Sequence, residues 1–328
     1  MIQRLFTLFL VLVGVVVVAA YAGHRYVLEQ FARPGPLTEP VTVIIPQGAG
    51  LAAITDRLAE AGVIDEPLVF EAGVRIADQG RALKAGEYAF PAAVSAREAM
   101  AMLTEGTVVA HKVTVAEGLT TARILEIVAE TDDLTGEVTL TPGEGDLLPE
   151  TYHFALNDSR DTVVRRMMDA MEATLADLWP TRADGLPLET PEQAVILASI
   201  VEKETGVPGE RAHVAGVFVN RLNRGMRLQS DPTVIYGLDQ TGNLGRGLTR
   251  RDLQTETPFN TYVIAGLPPG PICNPGRDSL KAVLNPLETD DLYFVADGTG
   301  GHAFAATLAE HNQNVARWRR IRREQGLR

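Results

Sequence analysis

The sequence predicts an α+β protein that begins with a single apolar helix. Three observations carry this reading. Leu5 to Ala22 is an uncharged run dominated by Val and Leu. Short alternating segments such as Val41 to Ile45 have the period of strands. Between them lie segments with apolar residues at helical spacing, so strands and helices alternate in one compact stretch. The 328 residues, 45% hydrophobic and 22% charged, suffice for two or three domains.

Composition also excludes function classes. With 42 acidic against 30 basic residues the net charge is −12, and no block of five consecutive Lys or Arg interrupts it. A protein that tracks nucleic-acid phosphates is disfavoured. The single cysteine, Cys273, rules out an internal disulfide and a multi-cysteine zinc site.

The apolar run is flanked by Arg4 and by His24-Arg25. As a helix it would be roughly 27 Å long, enough to cross a hydrocarbon core. A cleaved signal peptide is the competing reading, because Ala20-Tyr21-Ala22 has the small-x-small form of a cleavage site. Residues 24–40, with Arg33-Pro34-Gly35-Pro36, read as a linker. Residues 41–108 read as a small α+β module. It comprises a strand at Val41 to Ile45, a helix from Leu51 to Glu60 and a second helix near Pro67 to Ala77. A strand at Lys84 to Phe90 follows, then a helix opened by Ser95 and closed by Gly106. Residues 109–143 form a short connecting unit, with a strand near Lys112 to Val115 and a helix from Thr121 to Glu130. From Glu144 the texture changes. Helices are expected at about 161–177 and 190–205, then a long stretch rich in Gly, Pro and Asn. A helix at 278–284, a strand at Leu292 to Ala296 and a C-terminal helix ending in Arg-rich sequence close the chain.

The helix near 190–205 is the unusual element. Thr190 caps it, Pro191 occupies its first position, and Gln193 completes a capping box. Ala194 to Val201 is apolar nearly all round, the pattern of a buried helix. It ends in Glu202-Lys203-Glu204-Thr205, with Gly206 expected as a left-handed stop. Carboxylates at a helix C-terminus face the unfavourable end of the dipole, worth about 0.3–1 kcal/mol. Burial would add to this and raise the carboxyl pKa. Glycosidic cleavage needs such an acid to protonate its leaving oxygen. Glu202 and Glu204 lie about 200° apart around the helix, so they cannot line one cleft. One is expected to be the acid. The other is a structural or solvent-facing partner whose charge can be removed at little cost.

Four colinear motifs carry a family resemblance: ASIVEKETG from Ala198, VFVNRLNRGMRLQSDPTVIYGL from Val217, NTYVIAGLPPGPICNPG from Asn260, and LYFVADGTGGHAF from Leu292. They resemble the endolytic murein transglycosylases of the YceG-like (MltG) family over residues 144–312, and more faintly over 41–110. The resemblance implies a single inner-membrane anchor at residues 5–23, with a cytoplasmic stub at 1–4. It further implies a LysM-like module at 41–108 and a periplasmic catalytic domain at 144–328 with a lytic-transglycosylase-like cleft. It assigns Glu204 as the catalytic acid and base. That group would cleave the bond between N-acetylmuramic acid and N-acetylglucosamine and close a 1,6-anhydro ring, terminating nascent strands. The partners implied are glycan strands and peptidoglycan synthases; no cofactor is implied. Where the family usually has an aromatic residue after Glu-Gly, this chain has Asp146.

Gln229, Asp231 and Thr233 are candidate hydrogen-bonding groups for N-acetyl or hydroxyl groups, although Asp231-Pro232 equally reads as turn initiation. Tyr236, Asn260 and Tyr262 are candidates for sugar stacking and amide contacts, with core packing as the alternative for the tyrosines. The Gly266-to-Gly270 loop is expected to shape a cleft wall. Gly298-Thr299-Gly300-Gly301 mimics a dinucleotide fingerprint, but the 25 residues after Ala303 are too few for the rest of that unit, and a hairpin turn is expected. His302 and His311, nine apart, match no metal spacing, and no metal is assigned. Two rival readings are a hydrolytic muramidase using a distant Asp such as Asp231, and a non-catalytic peptidoglycan-binding scaffold.

Overall fold

The computed structural model describes residues 2–324. Helix α1 (Ile2–Ala32) is one uninterrupted helix of 31 residues. Its segment Phe6–Ala32 is long and apolar enough to cross a membrane, and its large apolar side chains are exposed. The helix runs ten residues beyond the apolar stretch, so the irregular connection starts only at Arg33. The reason is packing. Phe31 is 3% exposed and its ring meets Phe70 at 6.1 Å between centroids. It lies so close to Gly73 that a Cβ there would stand 2.5 Å from the Phe31 ring. Arg33 then pairs with Asp65 and Glu66 at 2.6 and 2.9 Å.

The chain forms two compact units, one ending at His111 and the other starting at Lys112. In the first, β1 (Val41–Ile45) is followed by α2 (Leu51–Glu60), α3 (Pro67–Ile76), β2 (Gly86–Phe90) and α4 (Ala96–Glu105). The two strands are antiparallel, with Val41 opposite Phe90 and Ile45 opposite Gly86. Their alternation places Val43, Ile45, Tyr88 and Phe90 on one buried face, which packs with Ile54, Leu58, Phe70, Val74 and Leu103. Ser95 and Glu98 form a reciprocal capping box, and Gly106, at φ 78°, ends α4.

The second unit takes in β3 (His111–Thr114) from Lys112 on, then α5 (Thr121–Ala129), β4 (Thr151–Phe154) and α6 (Arg160–Leu178), with β3 paired to β4. Val113, Ile124 and Val128 share one core with Leu147, Phe154, Val163 and Met167, so packing crosses position 144. A larger core is built around α7 (Pro191–Glu204), which packs against α8 (Arg211–Asn223), α9 (Asp231–Leu238) and α10 (Arg277–Leu284). Every residue of α7 from Ala194 to Val201 is buried, as its all-round apolarity predicts. A hairpin of β5 (Tyr293–Ala296) and β6 (His302–Ala305) follows, covered by α11 (Leu308–Glu324). The Gly-rich segment is the hairpin's turn.

The ends of α7 differ from expectation. Thr190 Oγ1 accepts the Gln193 N–H at 3.3 Å, but the Gln193 side chain accepts the Glu189 N–H at 2.6 Å instead of closing a box on Thr190. At the other end Thr205 leaves the helix in an extended conformation, φ −136°, and Gly206 adopts no left-handed turn. Thr205 is buried, so the chain must leave extended to pass between neighbours.

The packing of Phe31 gives a stability prediction. Phe31→Ala should destabilise the first unit by about 3–5 kcal/mol, the usual cost of emptying an aromatic site in a core. A soluble form starting at His24 should therefore melt higher in its first transition than one starting at Gly35. Equal denaturation midpoints would show that α1 contributes nothing to the module.

Candidate active site

The end of α7 sends its three polar side chains to three places. Lys203 reaches the carbonyl oxygen of Gly118, at 3.3 Å. Glu202 turns inward: its side chain is 6% exposed, Oε2 accepts the Gly276 N–H at 3.0 Å, and Oε1 faces Arg211 at 3.5 Å. Gly276 is the N-cap of α10. The carboxylate that opposes the dipole of its own helix is therefore seated on the favourable end of another. A Cβ at 276 would lie 1.7 Å from Glu117 Oε1, so any larger residue there would displace the Glu117 side chain.

Glu204 points the opposite way, as its spacing from Glu202 requires. Its Oε1 accepts the hydroxyl proton of Ser230 at 2.5 Å. Ser230 is buried and held in place: its N–H donates to Thr261 Oγ1 at 2.9 Å, and its carbonyl accepts from Thr233 Oγ1 at 2.7 Å. The two threonine hydroxyls lie 2.8 Å apart. Gln229, just before Ser230, takes the left-handed conformation, φ 51°, and donates its N–H to the Thr261 carbonyl at 3.1 Å. This strained corner aims the serine hydroxyl at the carboxyl.

Burial is the largest influence on Glu204 and pushes its pKa up to about 7; the nearby charge of Asp231 pushes the same way. The Ser230 hydrogen bond, His302 and Arg221 pull it down by smaller amounts. The result is a carboxyl that still carries a proton near neutrality and can release it. Arg221 is buried, its Nε and Nη1 donating to the carbonyls of Leu292 and Leu228, both at 2.6 Å.

The residues expected to bind substrate divide into two groups. Asp231 and Gln229 are exposed beside Ser230, and Tyr262 is half-buried, its hydroxyl donating to Asp231 Oδ1 at 2.6 Å. Asp231 and Tyr262 lie within electrostatic reach of the Glu204 carboxyl. Thr233 and Asn260 are fully buried and bond within the protein; the Asn260 amide holds the loop by donating to the carbonyls of Leu253 and Thr255. Tyr236 is buried edge-on against Phe259, and its hydroxyl donates to Glu144 at 3.2 Å. Glu144 also accepts from the Thr121 N–H and from the Asn274 amide, and burial raises its pKa. It lines a groove of about 380 Å³ with Met171, Val195, Ile196, Pro269 and Pro271, a groove whose lining does not include Glu204. A second groove, about 710 Å³, is lined by Lys203, Thr120, Thr241 and Asn243.

Ser230, Arg221 and the Glu144 network were not singled out from the sequence. Ser230 had one signal: a small hydroxyl residue directly before the helix-starting Asp-Pro pair. Among the described residues, no group of three or more His, Cys, Asp or Glu could hold a metal ion.

Known proteins resemble this chain over most of its length. The model of the YceG-like family matches residues 43–317. An endolytic murein transglycosylase of Streptococcus pneumoniae is 29% identical, over 94% of this chain and 64% of the relative. The chain thus spans just under two thirds of that protein's length. An endolytic murein transglycosylase of Bacillus subtilis is also 29% identical, over 90% of this chain and 88% of the relative. The crystal structure of a YceG-like protein from Listeria monocytogenes superposes with a TM-score of 0.51 at 32% identity, covering 84% of this chain and 99% of that one.

Two substitutions separate the neighbours of the acid. The inward placement of Glu202 overturns the expectation that its charge is dispensable. Glu202→Gln should cost about 1.5–3 kcal/mol, the range for a buried charge-assisted hydrogen bond, while the folded protein keeps its activity. Ser230→Ala removes a bond that lowers the Glu204 pKa, so the alkaline limb of the activity profile should move to higher pH. Thermal denaturation and pH–rate profiles read the two effects separately.

Proposed function

The chain belongs to the YceG-like family, and we propose that it is an endolytic peptidoglycan lytic transglycosylase with Glu204 as its single acid/base. The observation that carries the proposal is the Glu204 carboxyl, held by Ser230 in a partly buried setting that raises its pKa to about 7. The curated relatives' names supply the reaction class.

In the first step Glu204 gives its proton to the oxygen linking N-acetylmuramic acid to N-acetylglucosamine. The C1–O bond breaks with its electron pair on that oxygen, leaving positive charge at C1. The negative charge of Asp231, within electrostatic reach of Glu204, favours that charge. In the second step the Glu204 carboxylate takes the proton of the muramyl 6-hydroxyl, and O6 bonds to C1. The 1,6-anhydro ring closes and Glu204 is again protonated. One group serves both steps, with no second carboxylate and no water. Tyr262 holds Asp231, and Gln229 offers an exposed amide beside them for the substrate's hydroxyl or N-acetyl groups.

The rest of the chain is read around this centre. Helix α1 is a single-pass inner-membrane anchor with the N-terminus in the cytoplasm and the second unit in the periplasm. The module at 41–108, two antiparallel strands with two helices between them, is LysM-like and positions glycan strands. Peptidoglycan synthases are the partners this placement would serve.

Glu204→Gln keeps size and polarity but removes the transferable proton. It should lower the formation of anhydro-muropeptides from isolated sacculi by about 10²–10⁴-fold with an unchanged circular dichroism spectrum. The protonated acid must start the reaction, so wild-type activity should fall as pH rises through about 7. Linkage gives a companion effect. The folded pKa lies above the ordinary 4.5, so the stability it contributes is full below that value and lost as pH rises through about 7; Glu204→Gln should lack this loss. Mass spectrometry of the products decides the reaction. Hydrated reducing ends throughout would make the protein a hydrolase, and no conversion would make it a binding protein.

A further inference from the structure

The groove of about 710 Å³ in the second unit supplies no group to the reaction, yet its walls are firmly fixed. One wall is the chain leading into α5. Gly118 donates its N–H to the Asn274 carbonyl at 3.0 Å, and Asn274 returns its own N–H to the Leu119 carbonyl at 2.9 Å. The segment from Ile272 to Asn274 is held in turn on α7, where the Ile272 N–H reaches Ser199 Oγ at 3.0 Å. A further wall is the turn after α9. Asp239 sets it by accepting the Thr241 N–H on its carboxylate and the Gly242 N–H on its carbonyl, both at 2.9 Å. Gly242 is left-handed, at φ 71°, and a Cβ there would stand 3.4 Å from Thr120 Cγ2.

Lys203 enters this groove from the last turn of α7. Its Nζ donates to the Gly118 carbonyl at 3.3 Å, which uses one of its three N–H bonds. Among the described residues it pairs with no carboxylate. The carboxylates around it are engaged elsewhere: Glu126 pairs with Arg123, and Glu202 with Arg211 and the Gly276 N–H. Lys203 is therefore the uncompensated charge of the groove. Neutral donors line it as well. Asn243 uses Oδ1 to accept the Gly245 N–H at 3.0 Å, and among the described residues its amide nitrogen and the Thr241 hydroxyl meet no protein acceptor.

Two covalent links tie the groove to the acid. Lys203 and Glu204 are consecutive, with Cα atoms about 3.8 Å apart. Helix α9 starts after Ser230, which holds Glu204, and ends just before the turn that carries Thr241 and Asn243. Its 8 residues rise about 12 Å, more than one sugar ring, so only a polymeric substrate reaches both places. We propose that this groove is a subsite for the glycan strand beyond the bond that is cut, and that the Lys203 ammonium recognises a carboxylate on a muramyl substituent there. N-acetylmuramic acid differs from N-acetylglucosamine by a lactyl ether. That ether ends in a free carboxylate on bare strands and in a carboxylate-bearing peptide on substituted ones. Asn243 and Thr241 donate to sugar hydroxyl and N-acetyl oxygens. Lys203 is a binding residue and takes no proton in the reaction.

The inference rests on the transglycosylase reading, and strand chemistry separates the two. Full-length protein in detergent is given soluble bare strands or un-cross-linked peptide-bearing strands, each also with its carboxylates amidated, and new chain ends are counted by mass spectrometry. Lys203→Met keeps the aliphatic stem and removes the charge. Its KM for the free strands should rise about three- to fivefold at low salt with kcat little changed, as expected for an exposed charge pair that acts on binding alone. Salt should shrink the rise, and Lys203→Arg should restore most of the affinity. On amidated strands wild type and Lys203→Met should have the same KM. Asn243→Ala, which touches the sugar and not the charge, should raise KM on free and amidated strands alike. The wild type's own loss on amidated strands keeps the test alive should Lys203→Met not fold. A loss confined to bare strands assigns the lactyl carboxylate, and one confined to peptide-bearing strands assigns the peptide's. A wild-type KM for Lys203→Met on both free forms, or a rise that persists on amidated strands, overturns the proposal. Cleavage to reducing ends alone overturns the transglycosylase reading and leaves the KM comparison standing.

Discussion

A carboxyl group at the C-terminal end of a buried helix has two reasons to stay protonated, and much of the second unit is arranged around that fact. The dipole of α7 disfavours negative charge at its end, and the surrounding protein withholds water from it. Burial is the larger influence on Glu204. It comes from a helix apolar on every side between Ala194 and Val201, which lets α8, α9 and α10 close around it. The reactivity of one oxygen atom thus depends on the packing of side chains that never approach the substrate.

The Glu-Lys-Glu end of α7 shows how one helix can carry two carboxylates with opposite duties. The spacing of two residues sends them to opposite faces. Glu202 meets a backbone N–H at the start of α10 and the guanidinium of Arg211, which stabilise its charge. Glu204 meets one hydroxyl and the negative field of Asp231, which does the reverse. The first carboxylate fastens α7 to α10, and the second remains available for proton transfer. Ser230 links these duties: its single hydrogen bond orients the acid without neutralising it, and the Thr233–Thr261 pair keeps the serine from turning away.

Much of the fold was legible in the sequence because it is written in periodicity. The helices from Leu51 to Glu60 and from Pro191 to Glu204, and the capping box at Ser95, follow from local patterns and short-range chemistry. The two carboxylates at the end of an apolar helix stood out because they conflict with the dipole, while the choice of Glu204 between them came from the family resemblance. What was hidden depends on contacts distant in the chain. Glu202 reads as a frayed, solvated end until Gly276, 74 residues on, is brought to it. Helix α9 lies inside a stretch whose Gly, Pro and Asn content signals irregular chain, and burial of Val234 and Tyr236 overrides that signal. The extension of α1 to Ala32 depends on Phe31 finding Phe70, which no local pattern announces. Thr233 and Asn260 illustrate the converse: residue types suited to binding sugars are consumed in holding the loops that present Ser230 and Tyr262.

The central claim is that the fold, not the substrate, holds Glu204 in its acidic form near neutral pH. It is tested most directly by titrating that carboxyl in the free protein. Carbon-13 glutamate labelling with NMR detection, assigned by the spectrum of Glu204→Gln, follows the one resonance as pH is varied. The account predicts a midpoint near 7, falling toward the ordinary carboxyl range when the protein is unfolded. A midpoint near 4.5 in the folded protein would contradict it.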